Sequence, residues 1–334
     1  MTLRPFLRPF LRPFLRTVLL TVAATAVVFA ATALLPGDAS DVRGAGRATE
    51  QERADERDRL GLDRPALVRH LDWLYGAVRG DLGRSLVSGR AVGDLLAERL
   101  PATAVLVACS LAVTAVFTAL ALGVTFLRGG RGGAAATGLA AVPQSVHAAV
   151  LGTVLAGILG WLPAVSLLPP GGSPFDAPRA LVLPALTLAL PSAAYATALL
   201  RGTLLDTLRR PHVDDARMRG LPPGLVLVRH VLPFLLVPAL RVTALVAGGL
   251  MAGTAVVETM FGYPGTGSLL VSAVAVRDVP VVQAAALAPV VVLLLCMLVA
   301  DRLDARAAVR PAGRAGRADV GGSPAVPAAA GGRA

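Results

Sequence analysis

Long apolar stretches separated by short polar breaks dominate the sequence. Six of them, at 17–35, 102–127, 134–162, 180–200, 234–257 and 279–300, are long enough to cross a bilayer as helices. The pattern predicts an all-α polytopic membrane protein with six transmembrane helices. It divides into a tail over 1–16, a first span over 17–35, a polar segment over 36–100, a membrane domain over 101–308 and a tail over 309–334. The membrane domain is itself interrupted by a polar loop at 201–233.

Local signals refine these elements. Arg4, Arg8, Arg12 and Arg16 recur every four residues in an imperfect RPFL repeat, and Pro5, Pro9 and Pro13 argue against a regular helix there. The apolar run that follows is too long for the core of a signal peptide and reads as a span. Dense mixed charge from Thr49 to Leu60 fits a solvated helix. Leu67, Leu71 and Leu74, with Trp73 and Tyr75 nearby, supply an amphipathic face able to lie on a membrane. Gly80-Asp-Leu-Gly-Arg-Ser85 reads as a structural turn in preference to an anion site, because no strand precedes it. Pro184 and Pro191 inside the fourth span imply contact with a neighbouring helix or a cavity. Gly248, Gly249, Ala252 and Gly253 in the fifth permit close helix approach. From Arg310 on, Ala, Gly, Pro and Arg without periodicity predict a disordered tail.

Composition excludes several functions. The chain is 55% hydrophobic and 16% charged, with mean hydropathy +0.68. It contains no lysine, so it has no phosphate-binding loop of the G-x-x-x-x-G-K-[ST] kind. Its +11 charge punctuates hydrophobic spans, and aromatics are only 4%, so a nucleic-acid groove is a poor explanation. Cys109 and Cys296 lie far apart in apolar runs and read as inert thiols. No metal-ligand spacing, His-Glu-x-x-His motif or nucleophile–base set is present, so no catalytic and no metal residues are assigned. The arginine excess sits in both tails and in the loops 128–133 and 201–233, whereas 36–100 holds eleven arginines and twelve acids. The positive-inside rule then predicts cytoplasmic termini, a cytoplasmic 201–233 loop and an extracytoplasmic 36–100 segment.

Three places hold candidate functional residues. In the 201–233 loop, His212 to Arg219 can form a short helix started by Pro211 and stopped by Gly220. Val213, Ala216 and Gly220 then form a small, smooth face, flanked by Arg217 and Arg219 and next to Asp214 and Asp215. That helix is either a basic anchor on the membrane surface or a surface gripped by another protein. Arg241, inside the fifth span, either lines a translocation path or snorkels to the interface. Glu258, at the far end of the same span, is a gate or packing residue, because no partner at a fixed spacing makes it a general acid.

Several stretches, in this order and spacing, resemble the permease subunits of ATP-binding-cassette importers, in the dipeptide/oligopeptide/nickel branch. They are Leu-Pro-Gly-Asp (35–38), Leu60-Gly-Leu-Asp-Arg-Pro65, Gly80-Asp-Leu-Gly-Arg-Ser85 and Glu98-Arg-Leu-Pro-Ala-Thr103. Further on come Leu183-Pro-Ala-Leu-Thr-Leu-Ala-Leu-Pro191, Arg229-His230 and Val257-Glu-Thr-Met-Phe-Gly-Tyr-Pro-Gly-Thr-Gly267. The resemblance covers residues 35 to about 310. It implies that Asp215-Ala216-Arg217 and Gly220 match the family's "EAA" coupling signature, making Asp214, Asp215, Ala216, Arg217 and Gly220 the ATPase-coupling residues. By the same resemblance Arg241, Glu258, Tyr263, Pro264 and Gly265 are pore or gate candidates. It further implies an inner (plasma) membrane subunit without enzymatic activity or a bound cofactor, which forms half of a pore with a second homologous permease. Two ATP-binding partners would hold ATP and Mg, and an extracytoplasmic solute-binding protein would deliver cargo. Small peptides are the expected cargo, with nickel or another small solute as the alternative. A self-sufficient secondary transporter is the alternative from another class. Pro233-Phe234 stands where relatives have a basic or polar pair, Pro222-Pro223 stiffens the stretch after Gly220, and Arg241 replaces a small or hydroxyl residue.

Overall fold

The computed structural model describes residues 4–33, 49–129 and 176–309, with isolated positions between 150 and 166. The Leu-Pro-Gly-Asp stretch, nearly all of the expected third span and the tail from Arg310 lie outside the described residues. Among the described residues the chain is helical, without strands; one isolated bridge pairs Arg84 with Ala91.

The elements are α1 (Arg4–Ala33), α2 (Glu50–Arg59), α3 (Ala66–Val78), α4 (Val92–Leu127) and α5 (Pro178–Leu208). Then come α6 (Pro211–Met218), α7 (Pro223–Val226), a π-helical turn (Leu227–Val231), α8 (Leu232–Phe261), α9 (Thr266–Ala275) and α10 (Val279–Val309). Among the described residues, four helices are long and apolar enough to span a membrane: Val92–Leu127, Pro178–Leu208, Pro223–Phe261 and Val279–Val299. The apolar part of α1, Val18–Thr32, is shorter.

The helices overrun the apolar limits read from sequence. α1 begins at Arg4, so the expectation that three prolines break the tail is corrected. Pro5 lies in the first turn, where its missing N–H has no intrahelical partner to lose. Pro9 and Pro13 fall at four-residue spacing along one stripe, so the forfeited bonds are confined to a single side. α4 starts ten residues before the apolar run and carries Pro101 in its interior. α5 continues to Leu208 because no breaker intervenes before Pro211.

α4 packs against α5, α8 packs against α5 and α10, and α1 packs against α10. Leu106, Leu183, Leu188 and Leu250 are fully buried at the centre of this bundle. Polar groups cross the apolar contacts: Thr114 and Thr118 of α4 donate to the Ala189 and Ala193 carbonyls of α5 at 3.3 and 3.5 Å. Pro184 cannot donate to the Ala180 carbonyl one turn back, and the Ser166 hydroxyl donates to that carbonyl at 2.6 Å instead. The proline in the span is thus accommodated by a neighbour. Gly248 of α8 lies directly against Leu293 of α10, where an added Cβ would come within 2.8 Å of the Leu293 Cβ.

The 49–91 segment folds on one end of the bundle. α2 opens with a capping box: Thr49 N–H donates to Glu52 Oε2 at 2.7 Å, and Glu52 N–H donates back to Thr49 Oγ1 at 3.3 Å. These bonds favour the carboxylate and hold the Glu52 pKa below its usual value. α3 turns His70 and Trp73 inward, and the Trp73 indole donates to the Leu82 carbonyl at 3.2 Å. The turn after α3 is a structural one, yet its continuation holds an anion supplied by the chain itself. Asp278 accepts hydrogen bonds from the Ser85 hydroxyl and from the backbone of Leu86 at 3.0 Å and Val87 at 3.5 Å.

Candidate functional site

The polar segment between α5 and α8 is a compact unit fixed to the ends of three long helices. Pro211 supplies the first residue of α6, and Gly220, at φ +71°, closes it. The Gly220 N–H donates to the Arg217 carbonyl at 2.9 Å and the Leu221 N–H to the Ala216 carbonyl at 3.3 Å, the paired bonds of a Schellman stop. The short helix and its glycine stop agree with the pattern read from sequence.

Its orientation differs from that pattern. Val213 and Ala216 are 0% and 2% exposed, packed with Phe126 of α4, Leu204 and Leu208 of α5, and Val226, Val231 and Leu235. Of the three positions of the small, smooth face, Val213 and Ala216 are therefore covered by the chain's own core, while Gly220 is exposed. The opposite face is the exposed one. It carries Asp214, Asp215, Arg217, Arg219 and Met218, the last 82% exposed. Asp214 pairs with Arg217 at 3.8 Å and Asp215 with Arg219 at 2.8 Å. Exposed pairs of this kind contribute about 0–1 kcal/mol to folding, so they leave the four charges available to a partner.

The Pro233-Phe234 departure has a structural role. Phe234 lies beneath the Arg210 guanidinium at 4.6 Å and against the His212 ring at 5.0 Å. The His212 Nε2 meets the His230 carbonyl at 3.2 Å. These contacts tie the start of α6 to the start of α8. Pro233 cannot donate a backbone hydrogen bond, and the turn before it widens to the π form, closed by Leu232 N–H donating to the Leu227 carbonyl.

At the other end of α8, the stretch from Glu258 to Gly267 forms a buried junction. Glu258 is 0% exposed; its Oε1 accepts from the Thr103 hydroxyl at 2.7 Å and its Oε2 from the Ser268 N–H at 2.9 Å. Thr103 in turn receives the Thr266 N–H at 2.8 Å and meets the Thr266 hydroxyl at 3.0 Å. Tyr263 is fully buried and donates its hydroxyl to the Ala102 carbonyl at 2.9 Å. Gly265 passes directly over the Glu258 carboxylate, where any Cβ would collide with it. Pro264 is half-buried beside them. The junction fastens α4 to the turn between α8 and α9. Arg241 is not part of it: its exposed side chain sits 17 residues before Glu258, about 26 Å along α8.

A family model described as "Binding-protein-dependent transport system inner membrane component" matches residues 99–310, from the first turns of α4 past the end of α10. The chain belongs to this family. It is therefore a multi-pass inner-membrane transport component. Curated relatives agree. The di/tripeptide transport system permease protein of Pseudomonas aeruginosa is 32% identical over 305 residues, covering 84% of this chain and 91% of its own length. The glutathione transport system permease protein of Pectobacterium atrosepticum is 34% identical over 292 residues, covering 86% and 92%. A Brucella abortus protein, provisionally named a peptide transport system permease, is 34% identical over 263 residues, covering 77% and 83%.

Sequence reasoning placed the two polar clusters of this permease and missed the residues that fix them. Thr103 and Asp278 are 3% exposed or less and each anchors a distant loop; Thr103 closes the Glu98–Thr103 stretch, but nothing local names its partners, and Asp278 stands in no motif. Phe234 was visible only as a departure.

Proposed function

We propose that the chain is a membrane-spanning permease subunit of an ATP-binding-cassette importer, forming half of a translocation pore for small peptides and coupling it to partner ATPases. The observation that carries this reading is the α6 unit: a short capped helix with a charged outer face, seated rigidly on α4, α5 and α8. A push on α6 is passed to three long helices through a packed core. Membership of the family supplies the context, and the peptide and glutathione systems named for the relatives favour peptide cargo over nickel.

In this reading the chain has six spans, with both termini and the α6 loop cytoplasmic and residues 36–100 outside. A second homologous permease completes the pore. Two ATP-binding subunits hold ATP and Mg and drive the pair of permeases, with α6 as this chain's docking point, and an extracytoplasmic binding protein delivers solute. Asp214, Asp215, Arg217 and Gly220 form or shape the docking face, while Ala216 supports it from beneath. Arg241, Glu258, Tyr263, Pro264 and Gly265 are the gate candidates, and Glu258 acts by holding the α4 and α8 ends together.

Co-purification from the native membrane tests this. ATPase subunits and a second permease should accompany the wild-type chain, and the ATPases should be lost from an Arg217→Glu, Met218→Glu variant that still folds. Wild-type protein that purifies alone and moves solute in liposomes without ATP would replace the importer with a secondary carrier.

A further inference from the structure

α3 carries three distinct sectors. His70, Trp73 and Ala77 face the bundle, Asp72 and Arg69 occupy a polar flank, and Leu67, Leu71, Tyr75 and Val78 are exposed. At about 100° per residue those last four positions fall within about 80° of arc, a continuous apolar stripe. Apart from Arg79, whose guanidinium lies over the Tyr75 ring, no described residue covers it. The turn-rich loop and α10 pack on the other side of the helix, where the Gln283 amide meets His70 Nδ1 at 2.9 Å.

The depth of α3 is fixed by what its inner face touches. The His70 ring lies 5.0 Å from that of Phe29, four residues before the end of α1. Gln283 is four residues after the start of α10. Both contacts are thus about 6 Å inside the ends of two apolar helices that pack together. A helix held at that level has its exposed side at the boundary of headgroups and acyl chains, where interfacial helices bury an apolar face by about 5–10 Å. Tyr75 has its ring under the Arg79 guanidinium at 3.9 Å, the aromatic-plus-cation chemistry of a membrane interface.

We propose that α3 is an interfacial anchor whose Leu67, Leu71, Tyr75 and Val78 stripe is buried in the lipid leaflet at this end of the bundle. The occupant is lipid because the stripe is set at acyl depth beside the spans, with a polar flank turned away from it. The anchor holds the 49–91 segment, and through Asp278 the start of α10, at a fixed height. The inference rests on reading α1 and α10 as membrane spans.

Tryptophan quenching in the full-length protein, reconstituted in phosphatidylcholine–phosphatidylglycerol vesicles, tests it. Leu71→Trp reports the stripe, and Ala23→Trp, exposed about halfway along the apolar part of α1, reports the span. The expected result for Leu71→Trp is a loss of the added emission with lipid brominated near the headgroup, a smaller loss with lipid brominated near the chain end, and little loss with iodide. Ala23→Trp should show the opposite lipid order. Strong iodide quenching at Leu71→Trp overturns the proposal in favour of solvent, and protection from both lipid and iodide overturns it in favour of a protein partner. If Ala23→Trp is quenched by neither lipid, the span reading has failed and the proposal falls with it.

Discussion

Thr103 and Glu258 are 155 residues apart in sequence and share a 2.7 Å hydrogen bond in the interior. Thr103 also receives the Thr266 N–H, so one hydroxyl joins the start of the apolar part of α4 to both sides of the α8–α9 turn. Replacing it with Val keeps the shape and removes the donor to Glu258 Oε1 and the acceptor for Thr266. Leaving buried groups unsatisfied costs about 1–3 kcal/mol each. Thr103→Val should lower the unfolding temperature in detergent, whereas Thr103→Ser should restore most of it.

Gly220 has φ +71° at the end of α6, with two backbone bonds dependent on that conformation. A β-branched residue there is strained by about 1–2 kcal/mol. Gly220→Val should therefore reduce ATP-dependent uptake while Gly220→Asn, which tolerates the left-handed region, retains more. Equal uptake by both variants would show that the stop does not govern coupling.

The two faces of α6 should separate folding from docking. Val213→Asp places a charge in a side-chain environment closed to water and should abolish monodisperse protein. Met218→Glu changes a residue 82% exposed and should leave the unfolding free energy within about 0.5 kcal/mol of wild type while weakening ATPase retention. ATPase retention unchanged in the Met218 variant would count against this face as the docking surface.

Burial lowers the His70 pKa below its usual value. The Gln283 amide meets its Nδ1 at 2.9 Å. The unfolded chain binds a proton near pH 6.5 and the folded chain only at lower pH. Stability is therefore full above about pH 6.5 and falls as pH drops through that value towards the lowered pKa. Arg69, next in sequence, lies over the same Phe29 ring and adds a neighbouring positive charge. A His70→Gln variant should lose this part of the pH dependence, read as unfolding temperature between pH 5 and 7.5.

Hydropathy alone located the four described helices that are long and apolar enough to span a membrane, because apolar runs of that length have few alternatives. The α6 helix was equally legible, since Pro211 and Gly220 mark its ends chemically. Its orientation was not: the spacing of Val213 and Ala216 marks an apolar side but does not say whose core covers it. The anchors Ser85–Asp278 and Thr103–Glu258 join residues 193 and 155 positions apart, beyond any local pattern. The N-terminal prolines misled because the rule against them applies to each lost bond and ignores that three of them can share one stripe.

Gly248 of α8 lies directly against Leu293 of α10, and a pair of changes tests that packing. A Cβ at 248 would stand 2.8 Å from the Leu293 Cβ and closer still to its Cδ1. Gly248→Ala gains helix propensity of about 1 kcal/mol but overpacks the contact, which costs about 1–3 kcal/mol. The net effect should be a lower unfolding temperature. Leu293→Ala removes the Cγ and Cδ atoms but leaves the Cβ, so the double variant should recover only part of the loss. The coupling between the two sites should reach about 0.5–3 kcal/mol, the range for residues in direct contact. Strictly additive changes would mean that α8 and α10 do not meet at these two residues.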